Sequence, residues 1–285
     1  MHPLLARTKD FLAEVFTEWQ KDDALTLGAA LAYYTIFSIA PLLVLVIAIA
    51  GLVFGRAAAE GTLVTQIQDA MGPAGAKMIE GMIARASKPA SGIAATVVSL
   101  ATMVLGASGV FAQLQSSLNK IWEVQGRRAG IRGQVNRHVT SATMIAGIGL
   151  LLLLSLAASA ALGIVHEMIA ARFPVLSVVL PLANLALSFA VVTAFFAMIF
   201  KLLPDIRIEW RDVTLGAVVT AILFAAGRSL IGLYLGRAGI TSVYGAAGSL
   251  VLVLLWIYYS AQLLFLGAEF TEVYSRRFGS RRGHQ

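Results

Sequence analysis

Two charges stand where charge is expensive. Arg228 falls inside a long apolar run, roughly 214–235, and Glu269 closes another, roughly 244–268. An ionisable group within a membrane span is costly and marks a substrate path, a proton relay or a buried ion pair. Arg228 lies sixteen residues beyond Asp212, about 24 Å along a helix that rises ~1.5 Å per residue, so it belongs to the far half of its span. There it can snorkel outward, meet an acid such as Glu60, Asp69, Glu80 or Glu167, or hold phosphate with its planar fork. Glu269 stands near the opposite face, at the depth of Lys120, Lys201 and Arg211. A salt bridge is its first expectation; a proton-coupled step is the second, and would need burial to raise its pKa.

The remaining chemistry-bearing residues assemble into no catalytic set. His2, His138, His166 and His284 are far apart and form no HxH, HxxxH or HxxE spacing. RNA hydrolysis would need a metal-binding cluster or a paired acid and base. Asp22-Asp23 stands just before an apolar run and reads as a helix start. There is neither a P-loop nor a Gly-x-Ser-x-Gly. The chain holds no cysteine, which excludes disulfides, cysteine-ligated zinc, iron–sulfur clusters and cysteine nucleophiles. These observations predict a protein that is not an enzyme, has no metal or cofactor, and is not a P-loop ATP-driven pump.

The elements that must position Arg228 and Glu269 are membrane helices. Of the 285 residues, 58% are hydrophobic and 13% charged, and several runs reach the ~20 apolar residues that cross a bilayer. The predicted architecture is all-α and polytopic, with six transmembrane helices at about 25–55, 92–119, 139–165, 175–200, 213–235 and 244–268. A turn at Gly236-Arg237-Ala238-Gly239 makes the last two a hairpin. Residues 1–24 read as an amphipathic elbow helix, 25–275 as the transmembrane domain, and 276–285 as a basic tail. The first residues are amphipathic rather than a basic region followed by an apolar core, so no cleaved leader is expected.

The formal charge of +7 follows from topology. Fifteen Lys and Arg fall in the two tails and in loops 120–138 and 201–212, against six in the alternate loops. This bias puts both termini in the cytoplasm and leaves nucleic-acid binding with nothing to explain. Arg127, Arg128 and Arg132, with Arg137, abut the membrane on that side, where a basic cluster sets orientation and attracts anionic headgroups. Arg127, Arg128, Arg132 and Arg228 are the candidate headgroup contacts.

Smaller signals fill in the path. Loop 56–90 carries two apolar stripes, with Leu63, Ile67 and Met71 before Gly72-Pro73 and Met78, Ile79, Met82 and Ile83 after it. It reads as two short amphipathic helices on the outer membrane surface. Pro41 breaks the hydrogen bonding of the first span, next to Tyr33, Tyr34, Thr35 and Ser38, which could satisfy the freed carbonyl or line a polar cleft. The second span ends in Gln113, Gln115, Ser116, Ser117 and Asn119, either inter-helix glue or a hydrated vestibule. Ser155, Ser159 and Gly163 form a small-residue stripe for helix packing or a homo-oligomer contact. The residues proposed to line a substrate path are Tyr33, Tyr34, Ser38, Pro41, Gln113, Ser117, Asn119, Arg228, Tyr258, Gln262 and Glu269. Thr26-Leu27-Gly28-Ala29 opens the first span and Thr214-Leu215-Gly216-Ala217 the fifth, a faint trace of duplication.

Three segments carry a resemblance that covers about 25–275. They are Leu27-Gly28-Ala29 through Ser38-Ile39-Ala40-Pro41; Leu203-Pro204-Asp205 with Trp210-Arg211-Asp212 and Leu215-Gly216-Ala217; and Tyr244-Gly245-Ala246-Ala247-Gly248 through Leu255-Trp256-Ile257-Tyr258-Tyr259 to Gly267-Ala268-Glu269-Phe270. Together they resemble the YihY/BrkB membrane-protein family. The resemblance implies a multi-pass protein of the bacterial inner membrane. Its members have carried a ribonuclease label, a link to virulence and a proposed role in lipid transport. The histidine spacing gives the first no support. The leading expectation is transport of a lipid or lipid-like amphiphile, with membrane lipids as partners. A small-solute or ion channel or carrier, and a non-transporting scaffold, are the rivals.

Overall fold

A computed structural model describes residues 3–86, 109–124, 147, 176–237 and 247–282. Among them the chain is helical throughout, without strands. The helices are α1 (Pro3–Lys21), α2 (Ala24–Phe54), α3 (Arg56–Ala86), α4 (109–121), α5 (Leu176–Leu202), α6 (Trp210–Arg237) and α7 (Gly248–Arg277). Three stretches are long and apolar enough to cross a membrane: Leu182–Leu202, Trp210–Gly232 and Gly248–Arg277. Ala24–Ile39 is a shorter apolar stretch. Expected spans 92–119 and 139–165 fall mostly outside the described residues, as do Arg127, Arg128, Arg132 and the 155–163 stripe.

α7 is the axis. It contributes to all three apolar clusters: with α2, α4, α5 and α6 through Ala261, Phe265 and Ala268; with α2 and α3 through Leu252, Val253 and Ile257; and with α1 through Val273. Inside a bilayer, burying apolar area against apolar lipid gains little, so close packing and interhelical hydrogen bonds must hold the helices together. The α6–α7 crossing shows how. Gly216 of α6 faces Thr271 of α7, and Gly267 of α7 faces Thr220 of α6; a methyl on either glycine would collide with the opposite threonine. Each threonine hydroxyl donates to the glycine carbonyl four residues before it, Thr220 to Gly216 at 2.7 Å and Thr271 to Gly267 at 2.6 Å. The hydroxyls are thereby satisfied within their own helices even as each Oγ1, with the Cβ and methyl behind it, fills the opposite glycine notch.

The match between residues 26–29 and 214–217 takes on a physical meaning here. Gly28 of α2 lies against the Gln262 and Tyr258 side chains of α7, just as Gly216 lies against Thr271. Both four-residue segments thus bring a glycine against α7, from two different helices.

Loop 56–90 departs from expectation. Instead of two surface helices broken at Gly72-Pro73, α3 is one helix of 31 residues with Pro73 inside it. An interior proline costs about 3 kcal/mol. Offsetting it, Ile79 and Ile83 are fully buried with Ala32, Ile47 and Leu252, and Leu63, Ile67, Met78 and Met82 pack around them. Stripes on both sides of the proline serve one continuous face, which a break would split. α2 likewise runs unbroken through Pro41. Only Gly55 separates α2 from α3, at φ 82 with open space around its Cβ position. Its left-handed backbone, rather than crowding, makes it the residue for this turn.

The C-terminal residues are not a free basic tail. α7 runs to Arg277, and the chain then turns so that Ser280 donates from its N–H and hydroxyl to Asp212 Oδ2, at 2.9 and 2.7 Å. Gly279 leaves room for that buried carboxylate.

Candidate functional site

The polar groups of the bundle concentrate at one end, where α1, the α1–α2 junction and the close of α4 meet the second half of α7. The sequence builds this end from three pieces. α1 is amphipathic: Phe11 and Val15 bury against Val273 and Phe270 of α7, while Leu12 and Phe16 stay exposed. Asp23 turns the chain at φ 57 between α1 and α2. Aspartate tolerates that left-handed backbone. Asp23 occupies the N-cap position of α2 without a side-chain capping hydrogen bond. Then α7, apolar through Leu266, becomes acidic and basic from Glu269 onward.

Ion pairs clamp α1 to α7. Arg276 reaches Glu14 at 3.0 Å, Glu18 at 3.6 Å and Glu272 at 3.4 Å, and Arg277 also meets Glu14. Arg281 approaches Glu272 at 3.6 Å and lies 5.8 Å over the Trp122 ring. On the rim, Lys21 pairs with Glu18 at 2.7 Å and Glu123 at 3.4 Å. Hydrogen bonding to Glu18 holds its ammonium above the usual lysine range.

Glu269 is outside this clamp. It is 1% exposed, and no ion pair reaches it among the described residues. The three expected cations are engaged elsewhere. Lys120 donates to the Asp22 carbonyl, Lys201 donates to the Ile208 carbonyl, and Arg211 is exposed beyond the start of α6. The neighbours of Glu269 are acidic: Asp22 within hydrogen-bonding reach, then Glu272 and Glu18. Two carboxylates side by side present only acceptors, and a proton on either turns the pair into a hydrogen bond. Burial pushes the Asp22 carboxyl above the ordinary aspartate range, against the pull of Lys120 and Lys21. Glu269 Oε1 has no hydrogen-bond partner, nor do Gln262 Oε1 and the indole N–H groups of Trp19 and Trp122. Buried polar atoms are nearly always paired. Two acceptors and two donors left over at one end of a bundle are therefore its most informative polar feature.

The other residues expected on a path are dispersed. Gln262 does join this end: its Nε2 donates to the Ala24 carbonyl at 3.3 Å. Tyr258 sits one turn further along, against Gly28. Gln113 donates to Ser117 at 3.3 Å, and Ser117 is buried. Asn119 instead ties α4 to the α5–α6 connection. It donates to Asp205 Oδ2 at 2.8 Å and accepts from the Asp205 N–H at 2.8 Å, while Gln115 donates to the Leu203 carbonyl at 3.0 Å and to Asp205 Oδ1 at 3.2 Å. Gln115 and Asn119 are thus inter-helix glue. Tyr33, at 61% exposure, stacks edge-on with Phe37 on the outer surface of α2, beside the exposed Tyr34. Ser38 is buried and donates to the Tyr34 carbonyl at 2.8 Å. The backbone of Pro41 is helical. Arg228 is exposed on α6 with no ion pair to Glu60 or Glu80 among the described residues; Glu167 lies outside them. Among the described residues no group of three His, Cys, Asp or Glu could hold a metal ion.

Two participants escaped the sequence reading. Trp19 and Trp122 have no role in the sequence reading, yet each brings an N–H without a hydrogen-bond partner to this end. The signal was available for Trp122: a buried indole needs a partner for its one donor, and Leu118 and Gly126 at i±4 cannot accept through a side chain.

The chain is similar over most of its length to curated membrane proteins. It is 28% identical over 274 residues to a UPF0761 membrane protein of Alkalilimnicola ehrlichii, covering 92% of this chain and 58% of that protein. A UPF0761 membrane protein of Pseudomonas aeruginosa is 27% identical over 262 residues, covering 90% and 60%. One from Halorhodospira halophila is 25% identical over 276 residues, covering 95% and 58%. The chain thus spans about three-fifths of the length of these relatives. No solved structure matches it. The family model described as "Virulence factor BrkB" matches residues 15–285, taking in the last turns of α1, the glycine contacts on α7 and Glu269 alike, and the chain belongs to that family of membrane proteins.

Proposed function

We propose that this protein transports a lipid or lipid-like amphiphile across the bacterial inner membrane. It does so as a six-span bundle with both termini in the cytoplasm and without an enzymatic step. The observation that carries this reading is Glu269, a buried carboxyl group within a span-forming helix that no cation pairs among the described residues. Such a group is expensive, and a purely structural role would be served better by an ion pair or an apolar residue. On the helices that pack against α7, α1 presents Leu12 and Phe16, and α2 presents Tyr33 and Phe37, as exposed apolar surface. A polar end bordered by such surface suits a substrate with a polar head and apolar tails.

The Asp22–Glu269 pair favours a second reading, a proton-coupled carrier of a small solute. A scaffold without transport fits less well, since it predicts a paired Glu269.

Lipid scrambling in proteoliposomes carrying fluorescent phospholipids tests the first reading. Wild type should scramble, and Glu269→Gln and Arg228→Ala should reduce the rate at least several-fold in equally folded protein. No scrambling by folded wild type, together with proton-dependent solute uptake, would move the assignment to the carrier.

A further inference from the structure

We infer that the α5–α6 connection forms a binding site for the phosphate headgroup of an anionic phospholipid, separate from Glu269 and independent of the transport reading. An open cavity of about 680 Å³ lies there, lined by Lys201, Arg207, Glu209, Trp210, Arg211 and Arg281 among others. Four cations face one carboxylate, leaving a net charge of +3 on the lining. Two of the cations are already committed. Lys201 donates to the Ile208 carbonyl and lies 5.4 Å from the centre of the Trp210 ring. Arg281 is held by Glu272 and Trp122. Arg207 and Arg211 are exposed, and no ion pair engages either among the described residues. They are the two that can close on a ligand. Phosphate is the fitting anion because guanidinium forks grip its oxygens in pairs.

Position decides the source of that phosphate. Lys201 is the penultimate residue of the span-forming stretch Leu182–Leu202, and Trp210 is the first of Trp210–Gly232. The cavity therefore lies where hydrocarbon gives way to headgroups. Trp210 is 58% exposed there, as a membrane-interface tryptophan is. Asp212, the nearest acid on α6, is removed from the competition because Ser280 occupies its carboxylate.

Native mass spectrometry of the full chain tests the site, with the protein released from micelles that contain equal phosphatidylglycerol and phosphatidylcholine. Wild type should retain phosphatidylglycerol in preference to phosphatidylcholine. In Arg207→Gln/Arg211→Gln that preference should fall about tenfold or more, two lost cations being enough at a membrane surface. Both side chains are exposed, so the thermal melting of the variant should match wild type. An unchanged preference in the double variant, or none in wild type, overturns the inference. Displacement of the lipid by an equal concentration of inorganic phosphate also overturns it, by assigning the site to a soluble anion. The lipid arm can succeed while scrambling fails, so the two proposals stand or fall separately.

Discussion

Two faces of α7 follow opposite rules. At the α6–α7 crossing, two threonines fill two glycine notches and satisfy their hydroxyls on their own helices, so nothing polar is left over. Around Glu269, which lies between Gly267 and Thr271 but on another face of the helix, two acceptors and two donors lack partners and carboxylates crowd together. The first region is closed in shape and in hydrogen bonding. The second keeps chemical capacity at the expense of stability. One helix serves both because its face towards α6 is small and uncharged, while the residues facing α1 and α4 are large or polar.

Substitution should separate the two regions by sign. Gly216→Leu should be the most damaging change, because overpacking a close crossing costs about 1–3 kcal/mol and often more; thermal melting in detergent should show a large loss of folded protein. Moving the notch to the other helix, with Gly216→Ala/Thr271→Gly, should recover most of what Gly216→Ala alone loses, and a double-mutant cycle reads that coupling. Glu269→Gln should do the reverse, leaving melting nearly unchanged or slightly raised, since a buried carboxyl group crowded by acids becomes a neutral amide of the same shape. A loss of stability as large as that of Gly216→Leu would erase the contrast.

Two smaller effects sharpen it. Arg276→Ala should loosen α1 by about 1 kcal/mol or less, because partly exposed ion pairs are weak singly and stronger in networks; faster proteolysis within residues 3–21 would register it. The weakest expected effect is pH-dependent. A carboxyl whose pKa is raised in the fold binds its proton more tightly there than in the unfolded chain. Asp22 therefore contributes stability below the ordinary aspartate range, and that contribution is lost as pH rises towards its raised value. Asp22→Asn should flatten this part of the melting-temperature profile while leaving the rest parallel to wild type.

Much of the architecture was legible because membrane spans announce themselves by apolar length. The stretches expected at 175–200, 213–235 and 244–268 correspond to α5, α6 and α7, and the amphipathic pattern of residues 3–20 corresponds to α1. Pro73 misled, since a breaker predicts a break only where packing on both sides does not reward continuity. Glu269 was legible as an anomaly, but the lack of an ion pair to it among the described residues was not. Lys120, Lys201 and Arg211 stood at the right depth, and only the fold shows that backbone carbonyls and a headgroup-level cavity claim them. The shared Thr-Leu-Gly-Ala segments were visible as a repeat, although their common use against α7 required the geometry.

The one-residue turn at Gly55 has a mechanical implication. Successive residues of a helix point about 100° apart, so with no slack between α2 and α3 the turn acts as an indexing pin. Inserting a single residue there would rotate all of α3 relative to α2 and swing Ile79 and Ile83 off the Ala32 and Leu252 contacts together. A change at the tip of this hairpin is therefore read out more than twenty residues away, as a switch in which face the returning helix shows its neighbours.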